Sequence, residues 1–226
     1  MSGVLLIVVA YLVGAFPFVY LLGRVRGFDL RTEEDMHLSM WRKVGHTEGM
    51  IALAWELLKG AGVVLVAMAM DFETWAVACA GTAAVIGQMW SIFLGFAGEK
   101  GNSTGVGMAA TLAPVSFLFA LAPILTGVLI KMLASLRDKS KSVNERLNFA
   151  GSATNAMPLG MLGGFIVFPA ANAALQGSGW ITFSLIVLVV MIIIKRLTAG
   201  LRDDLKTATD KKSVVINRFL YDRSHS

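Results

Sequence analysis

Charged residues and cysteine are both scarce in this chain. Only 15% of its 226 residues are charged and 56% are hydrophobic, whereas soluble globular domains carry about 25% charged residues. A water-soluble core cannot absorb that apolar excess, so an ordinary soluble domain is excluded. The one cysteine, Cys79, rules out a disulfide within the chain, and its place in an apolar run predicts a packing residue. The sequence also lacks internal repeats, heptads and low-complexity tracts, which excludes repeat arrays and coiled coils.

The chain contains long apolar runs with few or no charged residues. Four of them contain no Asp, Glu, Lys or Arg, namely residues 4–22, 74–96, 101–130 and 147–194. A fifth run, residues 50–70, is interrupted only by Glu56 and Lys59. A helix needs roughly 20 apolar residues to cross a hydrocarbon core of about 30 Å. The chain is therefore predicted to be an all-α, multi-pass membrane protein whose first run is a retained span rather than a cleaved signal.

The placement of basic residues predicts the topology. They fall in residues 23–43, at Lys100, in residues 131–146 and from Lys195 to the end. Since basic loops stay on the cytoplasmic side, an even number of crossings must separate each neighbouring pair. The net charge of +5 is explained by this bias and predicts no nucleic-acid partner.

Crossing parity then sets the number of helices. Residues 101–130 must form two short spans, broken near Pro114 or Pro123, and residues 147–194 must form two more around the turn at 176–179. The prediction is about seven transmembrane helices with the N-terminus outside and the C-terminus inside. Residues 1–194 form the membrane domain and residues 195–226 a cytoplasmic tail.

Two intramembrane charges form the first candidate for chemistry. Glu56 and Lys59 lie three residues apart, so on one helix they can neutralise each other. Ionisable residues within the bilayer are costly, and they mark either a functional site or a pair that ties helices together. Both alternatives stay open.

A glycine-rich loop at residues 95–107, GFAGEKGNSTGVG, forms the second candidate. Glycines let backbone N–H groups approach an anion, and Lys100 adds a mobile charge for phosphate. The loop lacks the spacing of a P-loop. Its glycines could instead serve turns and close helix packing, as Gly160 and Gly164 are expected to do.

The third candidate is residues 37–43, HLSMWRK, which place an imidazole, a hydroxyl and cations beside the bilayer. Arg42 suits bidentate recognition of phosphate, and His37 can move protons near neutral pH. A juxtamembrane basic loop that only sets the topology and touches lipid headgroups is the alternative.

These segments resemble the PlsY-type glycerol-3-phosphate acyltransferases. YLVGAFP at 11–17, followed by Gly23-Arg24 and DLR at 29–31, is similar to the opening of that family. LLKG at 57–60 resembles the family's DVLKG, with Glu56 in place of the aspartate, and GQMWSIFLGFAGEKG at 87–101 resembles its second motif. The resemblance covers the first half of the chain well, and the second half mainly through its pattern of helices.

The resemblance implies an enzyme that moves an acyl chain from acyl phosphate to the 1-hydroxyl of glycerol 3-phosphate, giving lysophosphatidic acid. It implies a bacterial inner-membrane location, membrane lipid as a partner, and neither cofactor nor metal. Substrate-binding groups are then expected along the cytoplasmic edge, namely Arg42, Lys43, Lys59, Gly98, Lys100, Gly101, Thr104, Ser152 and Arg202. His37, Ser39 and Gln88 are the catalytic candidates.

Several motif positions differ from the family pattern. Gln88 stands at the motif's histidine, Ser91 at its proline and Glu99 at one of its glycines, while Arg196 falls on a C-terminal histidine. The phosphate-binding loop of the family is replaced by residues 33–39, which bring three carboxylates. Two other hypotheses therefore remain, a non-catalytic member that binds lipid or regulates a partner, and a small transporter. The transporter ranks last because the polar residues concentrate at one membrane edge.

The topology is tested by cysteine labelling. Cysteines introduced at Ser140 and Ser213 are expected to react only from the cytoplasmic side, because both positions lie in basic segments. A cysteine at Gly177 is expected to react from outside. Labelling of position 140 by an impermeant reagent on intact cells would contradict the seven-helix topology.

Overall fold

The computed structural model describes residues 2–31, 33, 35–137 and 154–222, and these residues form helices and connecting loops without any β-strand. Ser140 and Ser152 lie outside the described residues, and so does most of the basic segment 131–146. The helices in chain order are α1 (Gly3–Ala15), α2 (Phe18–Val25), α3 (Met36–Lys43), α4 (His46–Ala69), α5 (Thr74–Met89), α6 (Asn102–Leu112), α7 (Pro114–Arg137), α8 (Ala156–Ala174), α9 (Gly179–Thr198), α10 (Leu201–Thr207) and α11 (Lys211–Tyr221).

Six stretches of the described chain are long and apolar enough to cross a membrane. They are Gly3–Val25, His46–Ala69, Thr74–Leu94, Pro114–Arg137, Ala156–Ala174 and Gly179–Lys206. Helix α6 is too short to be one of them, because its 11 residues reach only about 16 Å. The prediction of a multi-pass helical protein is confirmed. Of the two short spans expected in 101–130, the first is the half-length α6 and the second is the full-length α7, and the break between them lies at Ala113, next to Pro114.

Proline shapes the first and the fourth of these stretches differently. Pro17 separates α1 from α2, whereas Pro123 lies inside α7 without ending it. At the Pro17 break the last carbonyl groups of α1 lose their helical donors. The Lys59 side chain donates to the Gly14 carbonyl at 2.8 Å, and the Ser91 hydroxyl donates to the Ala15 carbonyl at 2.6 Å. The break therefore ties α1 to α4 and to the loop that follows α5.

Helix α5 lies at the centre of the bundle. It packs against α1, α4 and α9, and most of its residues are buried. Helix α6 lies against α4, and α7 lies against α8. Gly160 and Gly164 line the α7–α8 contact, where a Cβ at Gly160 would come 2.6 Å from the Pro123 carbonyl oxygen. The packing role expected of these two glycines is confirmed.

Two short amphipathic helices close one edge of the bundle. Helix α3 packs on α4 and buries Met36, Ser39 and Met40. Helix α11 packs on α8 and α9, and its Asp210 N-cap accepts from the N–H groups of Lys212 and Ser213. The same edge holds the loop between α5 and α6, so the three candidate segments of the sequence lie together.

The contact between α4 and α6 is tested by a matched pair of glycine substitutions. A Cβ at Gly60 would overlap the Thr104 carbonyl oxygen of α6, whereas a Cβ at Gly62 meets no atom within 4 Å. Gly60→Ala is expected to destabilise the protein by about 1–3 kcal/mol, because the two helices must move apart. Gly62→Ala is the control and is expected to leave the melting temperature in detergent unchanged or slightly raised. Equal melting temperatures for both variants would contradict this close approach.

Candidate active site

Two buried carboxylates and a partly buried histidine meet where α3 folds over α4. His37 Nδ1 lies 3.0 Å from Glu56 Oε2 and 3.6 Å from Glu99 Oε2. Glu56 is 1% exposed, and Glu99 also accepts the Met36 N–H at 2.9 Å. Helix α3, helix α4 and the glycine-rich loop each contribute one member of this cluster.

The predicted pairing of Glu56 with Lys59 is corrected by this geometry. Glu56 pairs with His37, and Lys59 donates its hydrogen bond to the Gly14 carbonyl. The physical reason is that α3 folds back onto α4 and brings an imidazole to Glu56, while the Pro17 break offers Lys59 an unsatisfied carbonyl. Lys59 still supplies a buried positive charge near the cluster.

The cluster shifts the pKa values of Glu99 and His37, its two members that lie outside the membrane-spanning stretches. Burial and, after it, the charge of Glu56 raise the pKa of Glu99 from 4.5 to about 7, against the opposing effect of His37. Burial alone would lower the pKa of His37, but attraction to Glu56 and Glu99 outweighs it and holds that pKa well above 6.5. Glu99 therefore titrates near neutral pH, which suits an acid–base role.

The same three side chains have the donor types that metal ions use, and their ligand atoms lie within 4.8 Å of one another. Two carboxylates here face two cationic side chains, His37 and Lys59. The charges of the cluster can therefore balance among its own residues. The expectation of a metal-free site stays a prediction.

An inner pocket of about 20 Å³ lies between this cluster and the α1–α2 break. Lys59, Gln88, Gly98 and Glu99 line its polar side, and Phe16, Phe18 and Trp55 are among its apolar lining residues. Thr104 is fully buried, and its hydroxyl contacts both Gln88 Oε1 and the Glu56 carbonyl. Gln88 thus stands at the pocket wall with its side-chain oxygen held by α6.

A second, cationic pocket of about 180 Å³ lies on the other side of Gly98. It is lined by Arg31, Glu33, Ala97, Gly98, Lys100, Lys195 and Ala199. Gly98 admits no side chain, because a Cβ there would overlap the Gln88 carbonyl oxygen, and Gly101 has a left-handed φ of 76° that begins α6. The loop thereby presents Glu99 to the inner pocket and Lys100 to the cationic one.

Lys100 is only 6% exposed and has carboxylate neighbours. Its Nζ lies 3.1 Å from Asp222 Oδ2 and 3.5 Å from Asp35 Oδ2. Lys195 donates to the Met89 carbonyl at 2.6 Å and lies 5.3 Å from the centre of the Trp90 ring. The cations at this edge are thus fixed by contacts with backbone, aromatic and acidic groups.

The remaining predicted residues of α3 surround Glu33. The Ser39 hydroxyl donates to Glu33 at 2.6 Å, and Lys43 pairs with it at 2.5 Å. Lys43 hydrogen-bonding, followed by that of Ser39, lowers the pKa of Glu33 against the effect of burial, and the charge of Arg42 lowers it further. Arg42 is exposed, and its role in binding phosphate stays a prediction.

The structure adds residues that the sequence did not assign to the site. Arg31 and Lys195 line the cationic pocket. Glu99 contacts His37 in the buried cluster, and Asp222 contacts both Lys100 and Arg196. Glu99 and Arg196 were visible as departures from the motif pattern, but Asp222 carried no such signal. Ser152 and the side chain of Arg202 lie outside the described part of the structure.

The protonation of the cluster is tested by the pH dependence of stability. Because the folded-state pKa values of Glu99 and His37 lie above their usual values, the protonated forms favour folding. The melting temperature is therefore expected to fall as the pH rises from 5 to 8, first through Glu99 between 4.5 and about 7. Glu99→Gln is expected to flatten the fall between pH 5 and 7, whereas the exposed control Glu73→Gln keeps it. An unchanged slope in Glu99→Gln would contradict the raised pKa.

The chain has relatives in sequence over most of its length. The model of the family described as glycerol-3-phosphate acyltransferase matches residues 4–201. A glycerol-3-phosphate acyltransferase of Roseiflexus sp. (strain RS-1) is 39% identical over 124 residues, which cover 54% of this chain and 61% of that protein. The match therefore spans about three-fifths of that relative. Glycerol-3-phosphate acyltransferase 4 of Dehalococcoides mccartyi (strain CBDB1) is 30% identical over 230 residues, covering 99% of this chain and 90% of that protein.

The fold is also shared with solved structures. The glycerol 3-phosphate form of PlsY (YgiH), an integral membrane glycerol 3-phosphate acyltransferase, superimposes with a TM-score of 0.69 at 22% identity, covering 91% of both chains. Its lysophosphatidic acid form gives a TM-score of 0.68 at 20% identity, covering 96% of this chain and 98% of that one. With the family model matching most of the chain, this multi-pass membrane protein belongs to the glycerol-3-phosphate acyltransferase family.

Proposed function

We propose that this protein transfers an acyl group from acyl phosphate to the 1-hydroxyl of glycerol 3-phosphate, producing lysophosphatidic acid and inorganic phosphate for phospholipid synthesis. The observation that carries the proposal is the junction of two pockets at Gly98. One is lined by Arg31, Lys100 and Lys195, and the other by Glu99. A cationic pocket next to a buried carboxylate, in a chain of this family, supports the proposal.

The cationic pocket suits a phosphate monoester. Three of its lining side chains are cations and one, Glu33, is an acid. Charge-assisted hydrogen bonds from lysine and arginine to phosphate are short and strong. Lys100 and Arg31 are therefore the proposed phosphate ligands, together with Lys195, and Arg42 and Lys43 contribute at the rim by neutralising Glu33.

The proposed reaction needs one proton acceptor. The 1-hydroxyl oxygen attacks the acyl carbonyl carbon, the new ester C–O bond forms, and the bond from that carbon to the phosphate oxygen breaks. Glu99 accepts the hydroxyl proton and returns it to the departing phosphate, which leaves as hydrogen phosphate. A carboxylate that titrates near pH 7 is matched to both halves of this transfer.

The neighbours of Glu99 hold it in place for that role. Met36 N–H donates to its Oε2, and His37 lies 3.6 Å from the same oxygen with Glu56 behind it. We propose that His37 orients Glu99 and stabilises its ionised form. We assign to Gln88, which is held by Thr104, the contact with the reacting carbonyl group. Ser39 orients Glu33 through its 2.6 Å hydrogen bond.

The acyl donor is proposed to enter from the bilayer. The inner pocket is bordered by Phe16, Phe18 and Trp55, and Phe16 is 43% exposed. An acyl chain can lie against these rings with its reacting carbonyl group toward Gln88, which lines the same pocket. Such a site at a membrane edge fits a bacterial plasma-membrane enzyme whose second substrate is water-soluble.

A non-catalytic member that binds a phosphorylated lipid is the second candidate. It is favoured by Asp222, a carboxylate that contacts Lys100 where the substrate phosphate is proposed to bind. Such a protein would bind glycerol 3-phosphate or lysophosphatidic acid but form no product. The transporter hypothesis gains no support, because the ionisable side chains of the candidate site gather at one edge.

The proposal is tested with purified protein, acyl phosphate and glycerol 3-phosphate, scored for lysophosphatidic acid and inorganic phosphate. Lys100→Ala is expected to raise the KM for glycerol 3-phosphate roughly tenfold or more, since a charge-assisted hydrogen bond contributes about 1.5–3 kcal/mol. Glu99→Gln is expected to lower kcat by roughly a hundredfold, because the general base is lost.

Two variants serve as controls for this assay. Arg137→Ala removes a charge at the end of α7 and Glu73→Gln neutralises an exposed carboxylate, and both are expected to retain wild-type rates. Binding of glycerol 3-phosphate without formation of either product would establish the non-catalytic alternative. Equal kinetic effects of Lys100→Ala and Arg137→Ala would contradict the proposed phosphate site.

A further inference from the structure

Two buried cations converge on a carboxylate at the end of the tail. Asp222 Oδ2 lies 3.1 Å from Lys100 Nζ, and Asp222 Oδ1 lies 4.0 Å from Arg196 Nε. The Asp222 backbone carbonyl also accepts from Lys100 at 3.2 Å. Arg196 is 1% exposed and the Asp222 side chain 9% exposed. This group, the tail anion site, lies beside the cationic pocket through their common Lys100.

The tail helix is anchored so that Asp222 reaches this site. Arg218 of α11 contacts Asp204 through two of its nitrogens and donates to the Ala199 carbonyl. Val214 is buried on the same helix. Asp222 then ends α11 in a left-handed conformation with φ 60°, which aspartate adopts more readily than most residues. The family model stops at residue 201, so α11 and Asp222 lie outside the part of the chain that it matches.

The Asp222 carboxylate leaves one hydrogen-bond donor of the tail anion site, Arg196 Nε, without an acceptor. Arg196 donates from its terminal nitrogens to the carbonyls of Pro158 at 3.2 Å and Phe219 at 3.5 Å. Its Nε is buried and makes no hydrogen bond, because Asp222 stops 4.0 Å away. A buried charged donor without an acceptor is costly. A larger anion with more oxygens can reach Nε and Lys100 together.

The charges at this site determine whether a phosphate can bind while Asp222 is present. At the tail anion site, Lys100 and Arg196 carry two positive charges and face the negative charges of Asp222 and Asp35, whereas Arg31 and Lys195 belong to the adjoining cationic pocket. Adding a phosphate monoester beside both carboxylates would leave the site with excess negative charge, and like charges repel strongly where water is excluded. The phosphate can therefore bind to Lys100 only when Asp222 moves away.

We propose that Arg196 and Lys100 bind the phosphate of a phosphate-monoester substrate and that Asp222 occupies this site until the substrate displaces it. The inference rests on the proposed function, since it adds Arg196 as a further phosphate ligand, and Asp222 as an occupant, to the phosphate site proposed at Lys100. The tail carboxylate acts as an internal competitor, so the apparent affinity for substrate is reduced by the fraction of molecules in which Asp222 is bound. Because Asp222 is the residue that ends α11, its release requires movement only at the end of that helix.

The test is the binding of inorganic phosphate and of glycerol 3-phosphate to the full-length protein in detergent, measured by calorimetry. Asp222→Asn keeps the size and the left-handed backbone preference of the residue but removes its charge. This variant is expected to bind both ligands about tenfold more tightly than wild type. Asp203→Asn is the matched control, since that carboxylate is on the tail, 82% exposed and paired with Lys206, and it is expected to leave both affinities unchanged.

The role of Arg196 is tested in the Asp222→Asn background. Adding Arg196→Gln is expected to cancel the gain in affinity for both ligands, with the melting temperature showing whether the fold is retained. If that double variant fails to fold, Lys100→Gln with Asp222→Asn replaces it and is expected to lose the same gain. The inference is overturned if Asp222→Asn binds no more tightly than wild type, if neither protein binds phosphate, or if the double variant keeps the gain.

Parallel assays of acyl transfer separate this inference from the proposed function. A gain in phosphate affinity in Asp222→Asn without any lysophosphatidic acid supports the tail anion site and defeats the acyltransferase proposal. Formation of lysophosphatidic acid by wild type with no gain in affinity in Asp222→Asn defeats the tail inference alone.

Discussion

Two carboxylates buried at one edge of the bundle, Glu56 and Glu99, constrain the structure around them. A buried carboxylate without a partner is strongly destabilising, and here the neutralising group is His37, 3.0 Å from Glu56 and 3.6 Å from Glu99. That imidazole reaches them only if α3 folds back over α4, and the fold-back also brings the Met36 N–H to Glu99. The position of the whole juxtamembrane helix therefore follows from the need to compensate two negative charges, and the raised pKa of Glu99 is a by-product that suits proton transfer.

The break at Pro17 completes the same site from the other side. It exposes the carbonyl groups of Gly14 and Ala15, which are then taken by Lys59 and Ser91. Lys59 is thus held near the carboxylates without pairing directly with Glu56. The hydrogen bond of Ser91 also fixes the loop after α5, in which Glu99 lines the inner pocket and Lys100 lines the cationic one. The proposed acid–base group and the proposed phosphate-binding cation are adjacent residues. They lie between Gly98, where a Cβ would overlap the Gln88 carbonyl oxygen, and Gly101, whose φ is 76°.

Much of the fold could be predicted from sequence, because hydrophobic length and the placement of basic residues are local signals. The turn at Gln176 and the helix break at Pro114 follow from such signals. The full length of α7, which continues beyond residue 130 to Arg137, was not predicted. Within the site, the glycine-rich loop and Lys100 were identifiable from motif spacing. The partner of Glu56 was misassigned to Lys59 because spacing along one helix says nothing about a neighbouring helix that folds over it. Asp222 meets Lys100 from 122 residues away, and no local pattern predicts that contact.

The central claim is that phosphate binding at Lys100 and proton transfer at Glu99 occur side by side across Gly98. A crystal structure of the full-length protein with glycerol 3-phosphate bound tests this most directly. The account predicts a phosphate oxygen within hydrogen-bonding distance of Lys100 Nζ, the 1-hydroxyl directed toward Glu99, and Asp222 withdrawn from Lys100. A ligand bound elsewhere, or bound with Asp222 still paired to Lys100 and the hydroxyl turned away from Glu99, would contradict it.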